Sequence, residues 1–339
     1  MHKITSFIIA ETVKAKRGKE APVAAPVKSA PHYFEKTVPS QFILKQETAT
    51  LDSASIELVA KTYPPDIILV EGTIEVPDVF AEGTLELKDK LLAACYEFAK
   101  KNGAKEEPAE EYTVYQVYGY PGDPEAILKE SGKKMAGLLK SEKLELDENE
   151  VKYTLSFQLK YAKDDLAIVD WDGAFLFDRE GEFGETIELL ELANFQLLRY
   201  RILDHDLDDR LQKISKLTQQ EGSSRWFRTK EVAQAFKEVI KVRSQSISEF
   251  EALDRDIKLI GDWYSARLYE LMFKKFRMDA WSLTIKEKLE SLEDSYDIVS
   301  ENLGMSRMQL LEFIQIGAFF ILQIGWFALI ILEFFYFTR

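Results

Sequence analysis

One cysteine and three histidines are all that 339 residues offer of the side chains most used for nucleophilic and metal chemistry. Cys95 cannot close an internal disulfide, and its place on an apolar helical pattern predicts a buried thiol in a reducing compartment. His2, His32 and His205 are too scattered to form a zinc or general-base constellation without distant acids. No G-x-x-x-x-G-K-[ST] occurs, which removes a P-loop NTPase, and no G-x-G-x-x-G follows a predicted strand, which removes the dinucleotide fingerprint. Basic charge is also short: 44 Lys and Arg stand against 58 Asp and Glu, a formal net charge of −14 that argues against direct DNA binding. These shortages leave no catalytic residue, no cofactor or cofactor-binding residue and no metal ligand set to nominate. The chain reads as a non-enzyme.

What is present is a long apolar run, "FIQIGAFFILQIGWFALIILEFFYF", 25 positions from Phe313 to Phe337 in which only Gln315, Gln323 and Glu333 are strongly polar. About 20 apolar residues span a bilayer, so the run predicts a transmembrane helix, with residues 305–339 as the anchor. At the other end "SFIIA" is too short for the apolar core of a signal peptide and no small-residue cleavage site follows it. The expectation is a single-pass membrane protein whose N-terminal bulk stays in the cytoplasm. Glu11 and Glu20 interrupt the basic N-terminal stretch, unlike a mitochondrial transit peptide, which favours a prokaryotic plasma membrane over a mitochondrial inner membrane.

Before residue 184 the pattern is mixed. Strands are predicted over residues 3–10, 41–46, 66–76, 111–120, 151–161, 166–170 and 174–178, and helices over 85–101 and 125–140. Residues 1–183 thus read as an α+β domain, interrupted at 11–33 by a Pro-, Ala- and Lys-rich flexible linker or loop. After Gly184 apolar residues fall at helical spacing. One long amphipathic helix carries Leu192 to Ile214, with a break at "QQEGSSRWF", and a second stripe runs from Val232 to Leu271. A third, Trp281, Ile285, Leu289, Leu292, Tyr296, Val299 and Leu303, steps by three and four and predicts a coiled-coil seam. Residues 184–304 are expected to form a helical bundle or coiled coil, with the third helix continuing past Gly304 into the membrane.

The third helix and tail resemble the C-terminal end of the required-for-meiotic-nuclear-division family, also called domain of unknown function 155. The positions that carry the resemblance are Trp281, Lys288, Leu289, Leu292, Tyr296, Arg307, Leu311, Glu312 and Glu333, and the opening "ITSFIIAETVKAKR" is similar to that family's first strand and basic turn. The resemblance implies a non-enzymatic, membrane-anchored protein that oligomerises and, in mitochondrial relatives, supports translation.

The densest polar cluster is "RYRILDHDLDDR", residues 199–210. A metal-dependent phosphohydrolase site on Asp204, His205, Asp208 and Asp209 is the sharp reading. Without a second histidine cluster, and with Arg199, Arg201 and Arg210 interleaved, a solvated face laced with ion pairs is favoured. In the anchor, a wheel of about 100° per residue gathers Gln315, Gln323, Trp326 and Glu333 on one arc and Gly317, Ala318, Gly325 and Ala328 on another. Small residues allow close helix approach and amides bond across helices, so Gln315, Gly317, Gln323, Gly325 and Glu333 are nominated for self-association.

The leading function is therefore a membrane-anchored scaffold or tethering protein. Its expected partners are the lipid bilayer, further copies of itself as a homo-oligomer, and a cytoplasmic protein or ribonucleoprotein. Long helices leading into a span are similar to those of CorA-type magnesium channels, which makes an ion channel or transporter subunit an alternative, although that family needs two spans and a Gly-Met-Asn loop. A membrane-anchored metal-dependent hydrolase ranks last.

Overall fold

A computed structural model describes residues 2–13, 19–20, 41–52, 54–219, 241, 244 and 263–337. The chain forms two compact units, Met1–His205 with Ser248–Ile285, and Asp206–Ile247 with Lys286–Arg339.

The first unit is built on a sheet of nine strands among the described residues: β1 (His2–Thr12), β2 (Lys19–Glu20), β3 (Phe42–Leu51), β4 (Ala54–Tyr63), β5 (Ile67–Val76), β6 (Ala104–Val117), β7 (Gln158–Leu159), β8 (Asp165–Val169) and β9 (Gly173–Asp178). Their order is β2-β3-β4-β5-β1-β6-β9-β8-β7. Every pairing is antiparallel except that of β6 with β9. The central β1 is buried from Ile4 through Ala10, which explains its nearly continuous apolar reading. Gly173 is required at the parallel junction, since a Cβ there would stand 2.5 Å from the Thr113 carbonyl oxygen.

One face of the sheet is covered by α1 (Thr84–Lys101), with α2 (Glu125–Leu139) and α3 (Glu148–Leu155) beside it. Ile4, Ile8, Leu58 and Val70 from the strands meet Leu91, Cys95 and Phe98 of α1 in one apolar core. The approach is close: a Cβ on Gly72 would lie 2.6 Å from the Cys95 sulfur. The other face is covered by α4 (Gly184–Gln219) as far as His205, by α5 (Trp263–Lys275), and by the first turns of α6 (Met278–Phe337). There Phe195 stacks on Tyr63 at 5.0 Å, and Phe276 meets Tyr112 edge-on at 6.1 Å.

The strands expected near β3, β5, β6, β8 and β9 and the helices at α1 and α2 are present within a few residues. The strand expected over 151–161 is instead α3 followed by the two-residue β7. Its β-branched and aromatic residues favour a strand, but the Asp147 carboxylate accepts from the Asn149 amide and Glu148 and Glu150 occupy the first turn, so the helix start prevails. β4 has no counterpart in the sequence reading, although Ile56, Leu58 and Ala60 alternate with polar neighbours along it. Of the linker expected at 11–33, Glu11 and Thr12 belong to β1, Val13 follows it exposed, and Lys19–Glu20 form β2 against β3; the rest lies outside the described residues. The second helical stripe from Val232 to Ile260 also lies outside them, and its last members, Tyr264, Leu268 and Leu271, belong to α5.

In the second unit α4 continues to Gln219, and α6 runs unbroken through Gly304 to Phe337. Leu207 and Leu292 are buried, and Lys288 pairs with Asp208 at 2.7 Å. Along the expected seam Ile285 and Leu292 are buried and Trp281 and Leu289 half-buried, while the side chains of Tyr296, Val299 and Leu303 lie outside the described residues. A coiled coil is not shown.

Candidate functional site

The apolar run becomes the end of α6. Leu311–Phe334 is 24 residues long with a mean hydropathy of 2.1, and none of its most apolar window is buried inside the protein. At about 1.5 Å per residue it is longer than the roughly 30 Å of a bilayer's hydrocarbon core. Gln315, Gly317, Gln323, Gly325 and Glu333 are all exposed on it, and a Cβ added at either glycine would meet nothing within 4 Å.

Elsewhere the side chains with chemical potential are drawn into buried ionic knots that join distant parts of the sequence. On the α4-covered face Lys61 of β4 donates to both Glu191 carboxylate oxygens, at 3.0 and 3.2 Å, and pairs with Glu71 of β5 at 2.9 Å. Glu191 is fully buried. Burial pushes its carboxyl up to about 8 against the opposing pull of Lys61, while Glu71 and Glu191 together hold the Lys61 ammonium charged despite its own burial. Beside this knot the Gln116 amide donates to the Thr5 hydroxyl at 2.6 Å, which in turn bonds Thr73 at 2.9 Å.

A second knot lies at the β8–β9 turn. Asp170 is fully buried and receives one ammonium from each helical layer, Lys140 after α2 at 3.3 Å and Lys275 at the end of α5 at 2.5 Å. Lys275 also sits over the rings of Tyr153 and Phe157, at 5.0 and 4.2 Å. Glu150 pairs with Lys140 at 3.2 Å, and burial costs that ammonium less than Asp170 and Glu150 restore, so it stays charged above the usual lysine range. The Tyr112 hydroxyl donates to the Asp170 carbonyl oxygen at 3.1 Å. Nearby, Lys88 of α1 donates to the Ser141 hydroxyl, and Asp89 lies 3.7 Å away. Each cation in these knots faces a carboxylate, which makes them clamps between elements. The single cysteine is equally closed: burial pushes its thiol up to about 12, so it is not a thiolate at neutral pH.

Residues 199–210 fare differently from a plain solvated face. Arg199 reaches Asp66 at 2.7 Å and Arg201 pairs with Glu110 of β6, so both arginines bind the helix to the sheet; Arg210 pairs with Asp206 along the helix at 3.7 Å. Leu203 and Leu207 are buried and His205 is exposed. Among the described residues no group of three or more His, Cys, Asp or Glu side chains is placed to hold a metal ion.

Sequence reasoning missed Lys61, Glu71, Glu191, Lys140, Asp170 and Lys275. The available signal was weak: a lysine in the polar phase of the alternating segment 54–63, and two aspartates flanking a tryptophan in "DWDG".

A family model described as "Uncharacterized protein MJ0711, N-terminal domain" matches residues 4–183, more than half of the chain. The chain belongs to this family. The uncharacterized protein MJ0711 of Methanocaldococcus jannaschii is 28% identical over 270 residues, covering 80% of each chain. No solved structure matches the chain. The MJ0711 family membership corrects the resemblance to the required-for-meiotic-nuclear-division family. That resemblance rested mainly on apolar and amphipathic helix positions between Trp281 and Glu333, a pattern that many membrane-directed helices share, and on the opening "ITSFIIAETVKAKR", which lies inside the segment that the MJ0711 model matches. The implied link to organellar translation falls with it. The MJ0711 segment ends one residue before α4 begins, so it includes the sheet from the third residue of β1 onward and the helices of one face but not those of the other.

Proposed function

We propose that this protein is a non-enzymatic, membrane-anchored scaffold or tethering protein, in which the apolar end of α6 spans the bilayer, self-associates, and holds the sheet unit on the cytoplasmic side to bind a partner protein or ribonucleoprotein. One observation carries the reading: a 24-residue helix of mean hydropathy 2.1 with no protein covering it. An uncovered apolar surface of that size is not compatible with a monomer free in water. Two further features support the non-catalytic part. The strongly perturbed groups Lys61, Glu191 and Cys95 are buried within the fold. The ionic knots link elements of the fold to one another.

Self-association is supported by the polar and small residues of the anchor. In lipid an amide gains from an amide partner on a neighbouring helix by about 0.6 to 2 kcal/mol, and glycines allow the close approach this needs. Native mass measurement of the full chain in detergent tests the reading. A homo-oligomer is expected, weakened by Gln323→Leu with Gly325→Leu and unaffected by Phe320→Leu. A monomer, or the same oligomer in both variants, removes self-association from the account.

A further inference from the structure

The two ends of the sheet are finished differently. At one end β7 is an edge strand of two residues, short enough to discourage further pairing. At the other, β2 covers only Phe42 and Ile43 of β3, and among the described residues no strand pairs with the outer edge of β3 from Leu44 to Leu51. That edge offers a row of backbone donors and acceptors to a further strand. Its side chains sort by face. Lys45 lies over the Phe98 ring of α1 at 5.3 Å and pairs with Glu47 at 2.9 Å, and Ala49 and Leu51 pack on the α1 core. Gln46, Thr48 and Thr50 alternate with them on the other face, and all three are exposed.

One register lets this edge accept a second copy of itself. Two identical edges join antiparallel about a two-fold axis normal to the sheet, which keeps the α1 faces on one side and sets one residue opposite its own copy. Centred on Gln46, the pairing covers only Leu44 to Thr48 before β2 blocks it. Centred on Glu47, it sets two glutamates directly opposite each other, which destabilises a sheet. Centred on Thr48, it runs through the seven residues from Lys45 to Leu51 with no like charges opposed. Threonine then faces threonine, Gln46 faces Thr50, Glu47 faces Ala49 and Lys45 faces Leu51. The first two are side-chain pairs that bond across strands. Centred beyond Thr48, the register loses pairs at the end of β3. A strand of another protein would find the same backbone groups, but the fit of this stretch to its own reverse favours a second copy.

We infer that the outer edge of β3 is a homodimer interface, at which two copies of this chain join their sheets edge to edge with Thr48 opposite Thr48. The pairing uses the open edge of both copies, so the assembly closes as a dimer and does not extend into a filament. It belongs to the sheet unit and is independent of association through the anchor.

Because Cys95 is the only cysteine and is buried, Thr48→Cys gives the full chain in detergent one reactive thiol. Residues directly opposite across strands lie about 4.5 to 5.5 Å apart at Cβ, close to disulfide range. The reference is Glu57→Cys, exposed on β4 across from Thr48, which would sit about 14 Å from its own copy at three strand spacings. On mild oxidation Thr48→Cys is expected to give disulfide-linked dimer several-fold faster than Glu57→Cys. Within the Thr48→Cys chain, Gln46→Glu with Thr50→Glu sets like charges opposite each other and should slow the cross-link, whereas Gln46→Lys with Thr50→Glu sets opposite charges there and should restore it. Equal rates at 48 and 57, or equal rates in the two charge variants, overturn the inference. So does a thiol at 48 that stays closed to maleimide in the doubly glutamate-substituted chain, which means that another segment of the same chain covers the edge. The cross-link should survive Gln323→Leu with Gly325→Leu, so the edge and the anchor fail separately; its loss there would make the contact a by-product of the anchor and overturn it as an interface.

Discussion

The two faces of the sheet are both covered by helices, but ion pairs to the sheet are concentrated on one of them. The α1 face is an apolar core in which Ile8, Leu58, Val70, Leu91, Cys95 and Phe98 fill space around a glycine placed for close approach. The α4 and α5 face combines rings with buried charge, as Lys61 holds Glu71 and Glu191, Arg199 holds Asp66, Arg201 holds Glu110, and Lys275 holds Asp170. The helices of the first face lie inside the family segment 4–183; those of the second come from the part of the chain that leads to the apolar end of α6. Apolar packing is forgiving of exact partners, whereas a buried ion pair is costly unless its partner is present. The ionic face therefore sets which helices complete the sheet.

The most damaging change is to remove one cover. A chain of residues 1–183 leaves Phe7, Tyr63, Ile67, Leu69, Tyr112 and Leu176, all buried in the whole protein, without α4 and α5. It should aggregate or fail to unfold cooperatively; a soluble, cooperatively unfolding fragment would show that the second face is optional.

Single substitutions sharpen the contrast. Lys61→Met removes the ammonium that faces Glu71 and the fully buried Glu191, and should cost about 3 to 5 kcal/mol in denaturant unfolding above about pH 8, where Glu191 carries its charge in the natural chain. Leu91→Ala on the apolar face should cost about 2 to 5 kcal/mol by opening a cavity. The faces separate on titration: the lysine variant should recover stability as the pH falls and the stranded carboxyls take up protons, while the leucine variant should keep a constant deficit. Parallel pH profiles for the two would deny the ionic face its charge.

Glu191→Gln isolates one of those carboxyls. Its folded-state value of about 8 lies above the unfolded value of about 4.3, so the folded state binds the extra proton. The stability this adds is complete below the unfolded value and is lost as the pH rises through about 8. Between pH 5 and pH 8.5 the natural chain should therefore lose more than about 1 kcal/mol relative to the glutamine variant. A pH-independent difference between them would place the proton elsewhere. The smallest effect is expected from His205→Ala, an exposed position, which should change stability by no more than about 0.5 kcal/mol and leave metal content unchanged.

This difference between the faces also decides what could be read in the sequence. The strand at 66–76, the helices near 85–101 and 125–140 and the terminal apolar helix follow from local period and composition, and all are present. The strand expected at 151–161 failed because an Asp147 cap and acidic first turn outweighed β-branched residues. The ionic face was invisible for another reason. Lys61 and Glu191 are 130 positions apart, and Asp170 meets Lys275 across two layers, so no local pattern marks either pair. Arg199 and Arg201 were legible as charges but not as sheet contacts, since their acids lie on β6 and in the β4–β5 turn. The family model, too, lies on the sheet segment, while the similarity to the MJ0711 protein extends over 80% of the chain and so beyond the sheet into the helical part.

The central claim is that Leu311–Phe334 spans a bilayer, and alkaline carbonate extraction of membranes from cells producing the full chain tests it most directly. Carbonate strips proteins held by charge or by a protein partner and leaves integral ones in place. The account predicts that the protein stays in the membrane pellet after the wash; its release into the supernatant would contradict a spanning helix.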